Sequence, residues 1–217
     1  MSKTVGFLGG TFDPIHNGHL WLAREGLAKL GLERVVFLPA GHPYQRGREP
    51  CASAAQRLEM LKLALPAQGA FSIDARELHR SGPTYTFDTL QQLRAELGSG
   101  VEFVWLMGAD IFARLDSWHR WRELFGLTHF AVFRRAGAEA FDAVASVPLR
   151  SVVAAKAALP RAATGKVWFL DVMPPDISST GIRDRVRRGE PVRGMVPDNV
   201  LDYIQQHQLY SREGDGY

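Results

Sequence analysis

Short, almost wholly apolar runs alternate along this chain with longer stretches in which apolar residues return every three or four positions. Residues 5–8, 34–38, 71–74, 102–107, 129–133 and 167–170 form the apolar runs. Nearly continuous hydrophobicity over so few residues predicts strands buried on both faces. Residues 19–30, 53–65, 86–97, 121–125, 141–145, 181–188 and 200–206 are the predicted helices. Strand and helix in alternation predict an α/β fold, a doubly wound parallel sheet with helices on both faces. Residues 40–52, with Gly41, Pro43, Gly47 and Pro50 among Tyr44, Arg46 and Arg48, read as a loop. Residues 136–163 are alanine-rich and weakly periodic, and beyond 141–145 they predict no element.

Composition narrows the class. At 217 residues and 46% apolar content, one domain spanning 1–217 is expected, its helical end from about residue 178. The net charge of +3 is mild and suits a protein that handles phosphate. There is no long basic tract, so no nucleic-acid partner is expected, and Arg185, Arg187 and Arg188 read as a solvated helix face. No apolar run reaches the ~18 residues of a membrane span, so no membrane partner is expected. Residues 1–4 run straight into the first strand, which predicts no signal peptide. The single Cys51 excludes an intrachain disulfide and fits a reducing compartment, so a cytoplasmic location is expected. The sequence leaves a homo-oligomer open.

The chemistry concentrates between the first strand and the first helix, at Gly9-Gly10-Thr11-Phe12-Asp13-Pro14-Ile15-His16-Asn17-Gly18-His19. A glycine turn leading into a helix N-terminus offers unpaired N–H groups and the positive end of the helix dipole to an anion. His16 and His19, three apart, are predicted to share a helix face and to donate to phosphate oxygens. Gly18 between them is read as leaving room for a ligand, and Thr11 adds a hydroxyl. The chain has neither Gly-x-x-x-x-Gly-Lys-Ser/Thr nor, in this turn, Gly-x-Gly-x-x-Gly, so the two commoner phosphate loops are excluded.

A second motif, Ile177-Ser178-Ser179-Thr180-Gly181-Ile182-Arg183, follows the last strand. Ser178 or Ser179 can cap a helix. Arg183, one turn beyond Thr180, is predicted to present a guanidinium fork to phosphate. Gly108 and Asp110 follow the fourth strand, and Asp110 could accept from ribose hydroxyls or cap a helix. All three places fall at the carboxyl ends of strands, where open α/β sheets bind ligands.

The Gly-Gly-x-Phe-x-Pro-x-His-x-Gly-His pattern resembles the nucleotidylyltransferase superfamily, which shares His-x-Gly-His with class I aminoacyl-tRNA synthetases. A synthetase needs a longer chain and a lysine-rich second signature, whereas Ile177–Arg183 stands here. The segment Ser81-Gly82-Pro83-Thr84-Tyr85-Thr86-Phe87-Asp88-Thr89-Leu90, with Gly108-Ala109-Asp110, Ser117-Trp118 and Phe133-Arg134-Arg135, resembles bacterial nicotinate-nucleotide adenylyltransferases over nearly the whole length.

The resemblance implies a Rossmann-like nucleotidylyltransferase fold. It implies adenylyl transfer from ATP to nicotinate mononucleotide, giving deamido-NAD and pyrophosphate, with Mg²⁺ held mainly by the ATP phosphates and by no particular metal-ligating residue. His16, His19 and Arg183 are then the catalytic residues. Gly9, Gly10, Thr11, Phe12, Gly18, Gly108, Asp110, Ile177, Ser179 and Thr180 bind ATP. Arg46, Thr86, Trp118 and Arg135 bind the mononucleotide, Trp118 by stacking on the pyridine and Thr86 at a helix start, which it is also expected to cap. The family loop usually reads Pro-Pro-His and then Lys or Arg. Here it reads His42-Pro43-Tyr44-Gln45-Arg46, so Gln45 replaces the histidine, only Arg46 carries over, and His42 is the remaining histidine of that loop.

Three alternatives stay open. One is the same chemistry on nicotinamide mononucleotide or another phosphate acceptor. Another is a non-catalytic nucleotide- or RNA-binding module, against which stand the intact His16, His19 and Arg183. The third is a His-x-x-His metal site, for which Asp13 is the nearest further ligand.

Overall fold

The structure is a computed structural model, and it describes residues 3–43, 49–66, 68–135, 145–157 and 164–211. Six strands form one sheet: β1 (Lys3–Gly10), β2 (Arg34–Pro39), β3 (Phe71–Ile73), β4 (Val101–Gly108), β5 (His129–Arg135) and β6 (Val167–Val172). Their order is β3-β2-β1-β4-β5-β6, and β1–β4, β4–β5 and β5–β6 pair in parallel. The order turns around between β1 and β4, which is the switch point of a doubly wound sheet.

The helices are α1 (Asn17–Leu30), α2 (Ala54–Ala64), α3 (Thr86–Leu97), α4 (Ala109–Phe112), α5 (Trp121–Leu124), α6 (Val147–Ala157), α7 (Ser179–Arg187) and α8 (Asp198–Gln206). Burial follows the apolar runs. Phe103–Met107 of β4 are all buried, whereas β6 at the sheet edge is buried only at Val172.

The chain packs as two compact units that alternate along the sequence. The first comprises Met1–Gly9, Leu22–Val36 and Tyr85–Pro174. Its core holds Phe7 edge-on to Phe103 at 4.9 Å, and Phe125 beside Phe130 at 4.9 Å. The Arg94 guanidinium lies 3.6 Å over Phe103 and donates to the Leu127 carbonyl, so a charged group serves as packing material. A Cβ on Gly9 would fall 2.5 Å from the Trp105 ring. Gly9→Ala is therefore expected to overpack this core by about 1–3 kcal/mol. Thermal unfolding checks it, and an unchanged melting temperature would mean that the indole yields.

The second unit comprises Gly10–Trp21, Phe37–Thr84 and Pro175–Tyr217. Within it, Ser53 caps α2 through a complete capping box with Gln56. Asn199, in α8, donates to the Leu63 carbonyl of α2.

The sequence prediction differs from the structure at four helices, and one of them, α4, was not predicted at all. Predicted helix 141–145 lies outside the described residues except for Ala145, which sits in a bend. Helix α6 was not predicted either. Leu149 is fully buried while Val147 is 64% exposed, so α6 has no long apolar stripe to read. Its available signal was local: the Ser146 hydroxyl accepts from the Leu149 N–H, and Pro148 sits in the first turn. At α3 the cap is Tyr85, and Thr86 is the first helical residue, so Thr86 does not cap its helix.

Candidate active site

The loop between β1 and α1 lies in the second unit and is built from within. Phe12 takes a left-handed backbone (φ 51°), is buried, and sets its ring edge-on to His19 at 5.0 Å. The Asp13–Pro14 peptide is cis. His16 is the N-terminal cap of α1: its carbonyl accepts from the N–H groups of His19 and Leu20. The His16 N–H in turn donates to His19 Nδ1 at 3.3 Å, half of a capping box. An accepting Nδ1 leaves the His19 proton on Nε2. The two imidazoles stack, centroids 3.7 Å apart and planes at 25°. The pair is therefore a cap and a first-turn residue brought face to face, not two residues of one helix face.

Gly18 makes that stack fit. A Cβ there would meet His16 Cε1 and Nδ1 at 3.0 Å and the Ile177 carbonyl at 3.6 Å. The space over Gly18 is thus filled by the His16 ring rather than left for a ligand, as the sequence suggested.

His16 is 6% exposed, and its Nδ1 is buried without a hydrogen-bond partner. Burial lowers its pKa from the ordinary 6.5 to about 4. At neutral pH the ring is an uncharged imidazole that offers one donor and one acceptor, not a cation. A desolvated nitrogen without a hydrogen bond costs stability.

The stability consequence has a definite sign. The unfolded chain binds the His16 proton below about 6.5, and the folded protein only near 4. This contribution is therefore fully present above pH 6.5 and is lost progressively as pH falls toward 4. Denaturant midpoints between pH 4 and 7 check it in wild type and His16→Gln. A midpoint curve of the same slope in both would contradict the assignment.

The second motif meets the first at this loop. Ser178 caps α7 by accepting from the Gly181 N–H at 3.1 Å. Ser179 Oγ donates to the Pro14 carbonyl at 3.0 Å. That proton is committed, so Ser179 has its backbone N–H rather than its hydroxyl to give a ligand. Thr180 Oγ accepts from Arg183 Nη2 at 3.1 Å and lies on an exposed residue, so its own proton points elsewhere. Neither α1 nor α7 carries an acidic residue in its first turn. Two positive helix ends without acidic complement suit a polyanion.

Arg183 departs from expectation. The sequence reading makes it an open fork for phosphate. It is 2% exposed, donates to the Asp13 carbonyl at 2.6 Å and stands 3.8 Å from the Asp13 carboxylate. It builds the loop from behind. Thr11 is likewise 5% exposed, and its carbonyl accepts from Arg57 at 2.8 Å.

Three residues essential to this loop were missed in the sequence. The Asp13 carboxylate accepts from the Cys51 N–H at 2.8 Å, the Ala52 N–H at 3.1 Å and the Tyr210 hydroxyl at 2.8 Å. So engaged, it is not placed as a metal ligand. Arg57, 1% exposed, joins the Thr11 carbonyl to those of Ala40 and Gly41. Arg57 looks like an ordinary surface arginine of α2 in the sequence, and Asp13 and Tyr210 have no local signal linking them.

The first unit carries the residues assigned to the mononucleotide. Trp118 is half-buried, edge-on to the buried Trp105 at 6.4 Å and 88°. His119 lies 4.3 Å from Tyr85, and the Arg120 guanidinium 3.7 Å over Phe87. Those two contacts tie the start of α3, with Thr86, to the loop of Trp118. Gly108 caps α4, and the exposed Asp110 folds its carboxylate back over it: a Cβ on Gly108 would lie 2.7 Å from Asp110 Oδ1. Asp110 is the second residue of α4 and not its cap. Arg134 pairs with Asp171, and the Arg135 backbone is paired with Val172 in the sheet. Arg46 lies outside the described residues, and the exposed His42 ring stands 3.7 Å from Glu49. Among the described residues no group of three or more His, Cys, Asp or Glu could hold a metal ion, and no helix is long and apolar enough to cross a membrane.

A parallel α/β sheet whose first strand feeds a glycine turn, a stacked histidine pair and two acid-free helix starts is an arrangement suited to a polyphosphate. Residues 7–185 match the family model described as Cytidylyltransferase-like. The chain is 44% identical to the "Probable nicotinate-nucleotide adenylyltransferase" of Chromobacterium violaceum, over 97% of this chain and 100% of that one. It is also 44% identical to the protein of the same name from Dechloromonas aromatica, over 97% and 99%. Among solved structures it is similar to the Plasmodium falciparum nicotinic acid mononucleotide adenylyltransferase complexed with NaAD, with a TM-score of 0.75 and 17% identity over 96% of this chain and 97% of that one. That last likeness is one of fold. The chain belongs to the nicotinate-nucleotide adenylyltransferase family.

Proposed function

We propose that this protein transfers the adenylyl group of ATP to nicotinate mononucleotide, forming deamido-NAD and pyrophosphate. The observation that carries the reading on this chain is the His16–His19 stack at the start of α1, with its orphaned nitrogen and no acidic neighbour in the first turn.

The reaction asks little covalent chemistry of the protein. The attacking mononucleotide phosphate is already an anion, so no general base or side-chain nucleophile is required. The α-phosphorus–oxygen bond to pyrophosphate breaks as the new one forms, and the protein must align two polyanions and disperse charge. His19 Nε2 gives a fixed donor to the reacting phosphate. His16 gives a neutral one and holds His19 by stacking. The Gly18 N–H of α1 and the Ser179 and Thr180 N–H groups of α7, with the Thr180 hydroxyl, receive the remaining phosphates. Mg²⁺, arriving on the ATP phosphates, would neutralise part of their charge. Thr86 and Trp118, with Arg46 and Arg135, are the proposed mononucleotide contacts, and Asp110 the ribose contact.

Pyrophosphate release with ATP and Mg²⁺, comparing nicotinate with nicotinamide mononucleotide, tests the reading. Preference for the acid supports it. Preference for the amide moves the protein to the other substrate, and no release with either overturns it. Trp118→Ala is expected to raise KM for the mononucleotide roughly tenfold or more with little change in kcat, because stacking is a binding term common to ground and transition states. An unchanged KM in a folded variant removes Trp118 from the pocket.

A further inference from the structure

One residue far from either motif reaches the loop that carries the histidine pair. Tyr210 lies beyond α8, is 4% exposed and donates its hydroxyl to Asp13 Oδ1 at 2.8 Å. Its backbone is held in the left-handed region (φ 64°), as is that of Gln208 (φ 49°). Non-glycine residues stay in that region only where their surroundings fix them. The Gln208 carbonyl accepts from Ser211 Oγ at 2.8 Å, and the Leu209 N–H donates to the Ile204 carbonyl at 2.9 Å, which closes the turn that delivers the phenol. Asp13 in turn begins the four-residue segment that ends at His16. Its carbonyl is held by Arg183, and the next carbonyl, that of Pro14, by Ser179. Its carboxylate holds the N–H groups of Cys51 and Ala52 and receives the phenol.

We propose that Tyr210 is a positioning residue for ATP: through Asp13 it fixes the loop that presents His16 and His19, and ATP binding depends on that hydrogen bond. Burial, and then the neighbouring Asp13 charge, push the phenol above its ordinary pKa, so it remains a donor at every working pH. The inference rests on the adenylyl-transfer reading for its kinetic consequence, but not for its structural one.

Tyr210→Phe keeps the ring and deletes only the donor. The expected result is a rise in KM for ATP of about tenfold, with KM for the mononucleotide unchanged, as for loss of one hydrogen bond to a charged acceptor. The His16 and His19 imidazole resonances should shift in the free variant. Val200→Ala, a trimmed side chain buried in α8, is the control for lost stability alone, and it should leave both KM values as they are. Asp13→Asn keeps an acceptor oxygen. If the phenol acts through Asp13, Tyr210→Phe should add little in that background.

A folded Tyr210→Phe with wild-type KM for ATP and unmoved imidazole resonances overturns the proposal, as does a Val200→Ala that raises KM equally. If wild type releases no pyrophosphate with either mononucleotide, the adenylyl-transfer reading fails. The imidazole shift in the free protein then still decides whether Tyr210 sets the loop.

Discussion

His19→Ala should lower kcat for pyrophosphate release by about 100-fold or more, as expected for removal of one preorganised donor from a site where charge builds in the transition state. The geometry suits His19 to that proposed role. Its ring is trapped between the His16 imidazole at 3.7 Å and the edge of Phe12 at 5.0 Å, and Nδ1 is occupied by the His16 N–H. The ring cannot reorient without breaking these contacts, so the proposed donor needs no reorganisation as charge builds on the reacting phosphate. The stability cost should be small by comparison. The truncation removes the acceptor of the His16 N–H, about 1 kcal/mol. Turnover measured beside circular dichroism and thermal unfolding separates the two effects. Near-normal kcat in a folded variant would falsify the assignment of His19 to the reacting phosphate.

The parts of this protein that were legible in the sequence are those written locally. The six apolar runs became six strands, each running to or past the run's limits where backbone pairing continues into Lys3, Gly10 or Val172, except at β3, which stops one residue short of Asp74. Ser53 and Gln56 announced α2 because a capping box is a short-range device. The glycine turn, the histidines and Ser178–Arg183 could be found because helix starts and turns have sequence signatures, and the structure joins them at Pro14 and Gly18. What the sequence withheld is long-range. Arg57 reaches Thr11 across 46 positions, and Tyr210 reaches Asp13 across 197. No periodicity encodes such contacts. A buried arginine on α2 and a tyrosine past α8 look like surface residues until the fold closes over them. Helix α6 was missed for a related reason, since one buried leucine does not make a stripe.

Arg183 is where local signature and packing pull apart, and Arg183→Ala should show the packing. The guanidinium is 2% exposed, donates to the Asp13 carbonyl and to Thr180 Oγ, and stands 3.8 Å from the Asp13 carboxylate. Removing one partner of a buried charged pair typically costs about 3–5 kcal/mol, since the other charge is left desolvated and a cavity opens. Here the Asp13 carboxylate keeps Tyr210 and two backbone N–H groups, so a value near the lower figure is expected. For a chain of this size that corresponds to a fall in melting temperature of roughly 10 °C. Arg183→Lys should recover only part of it, because one ammonium cannot span a carbonyl and a hydroxyl as a planar fork does. A loop residue held from behind is also expected to lower kcat once lost, but the loss of stability comes with it. If Arg183→Ala melts like wild type and still loses turnover, the side chain leaves its buried place and meets phosphate directly in the working enzyme. A large drop in melting temperature instead assigns Arg183 to the scaffold that lets His16 and His19 act.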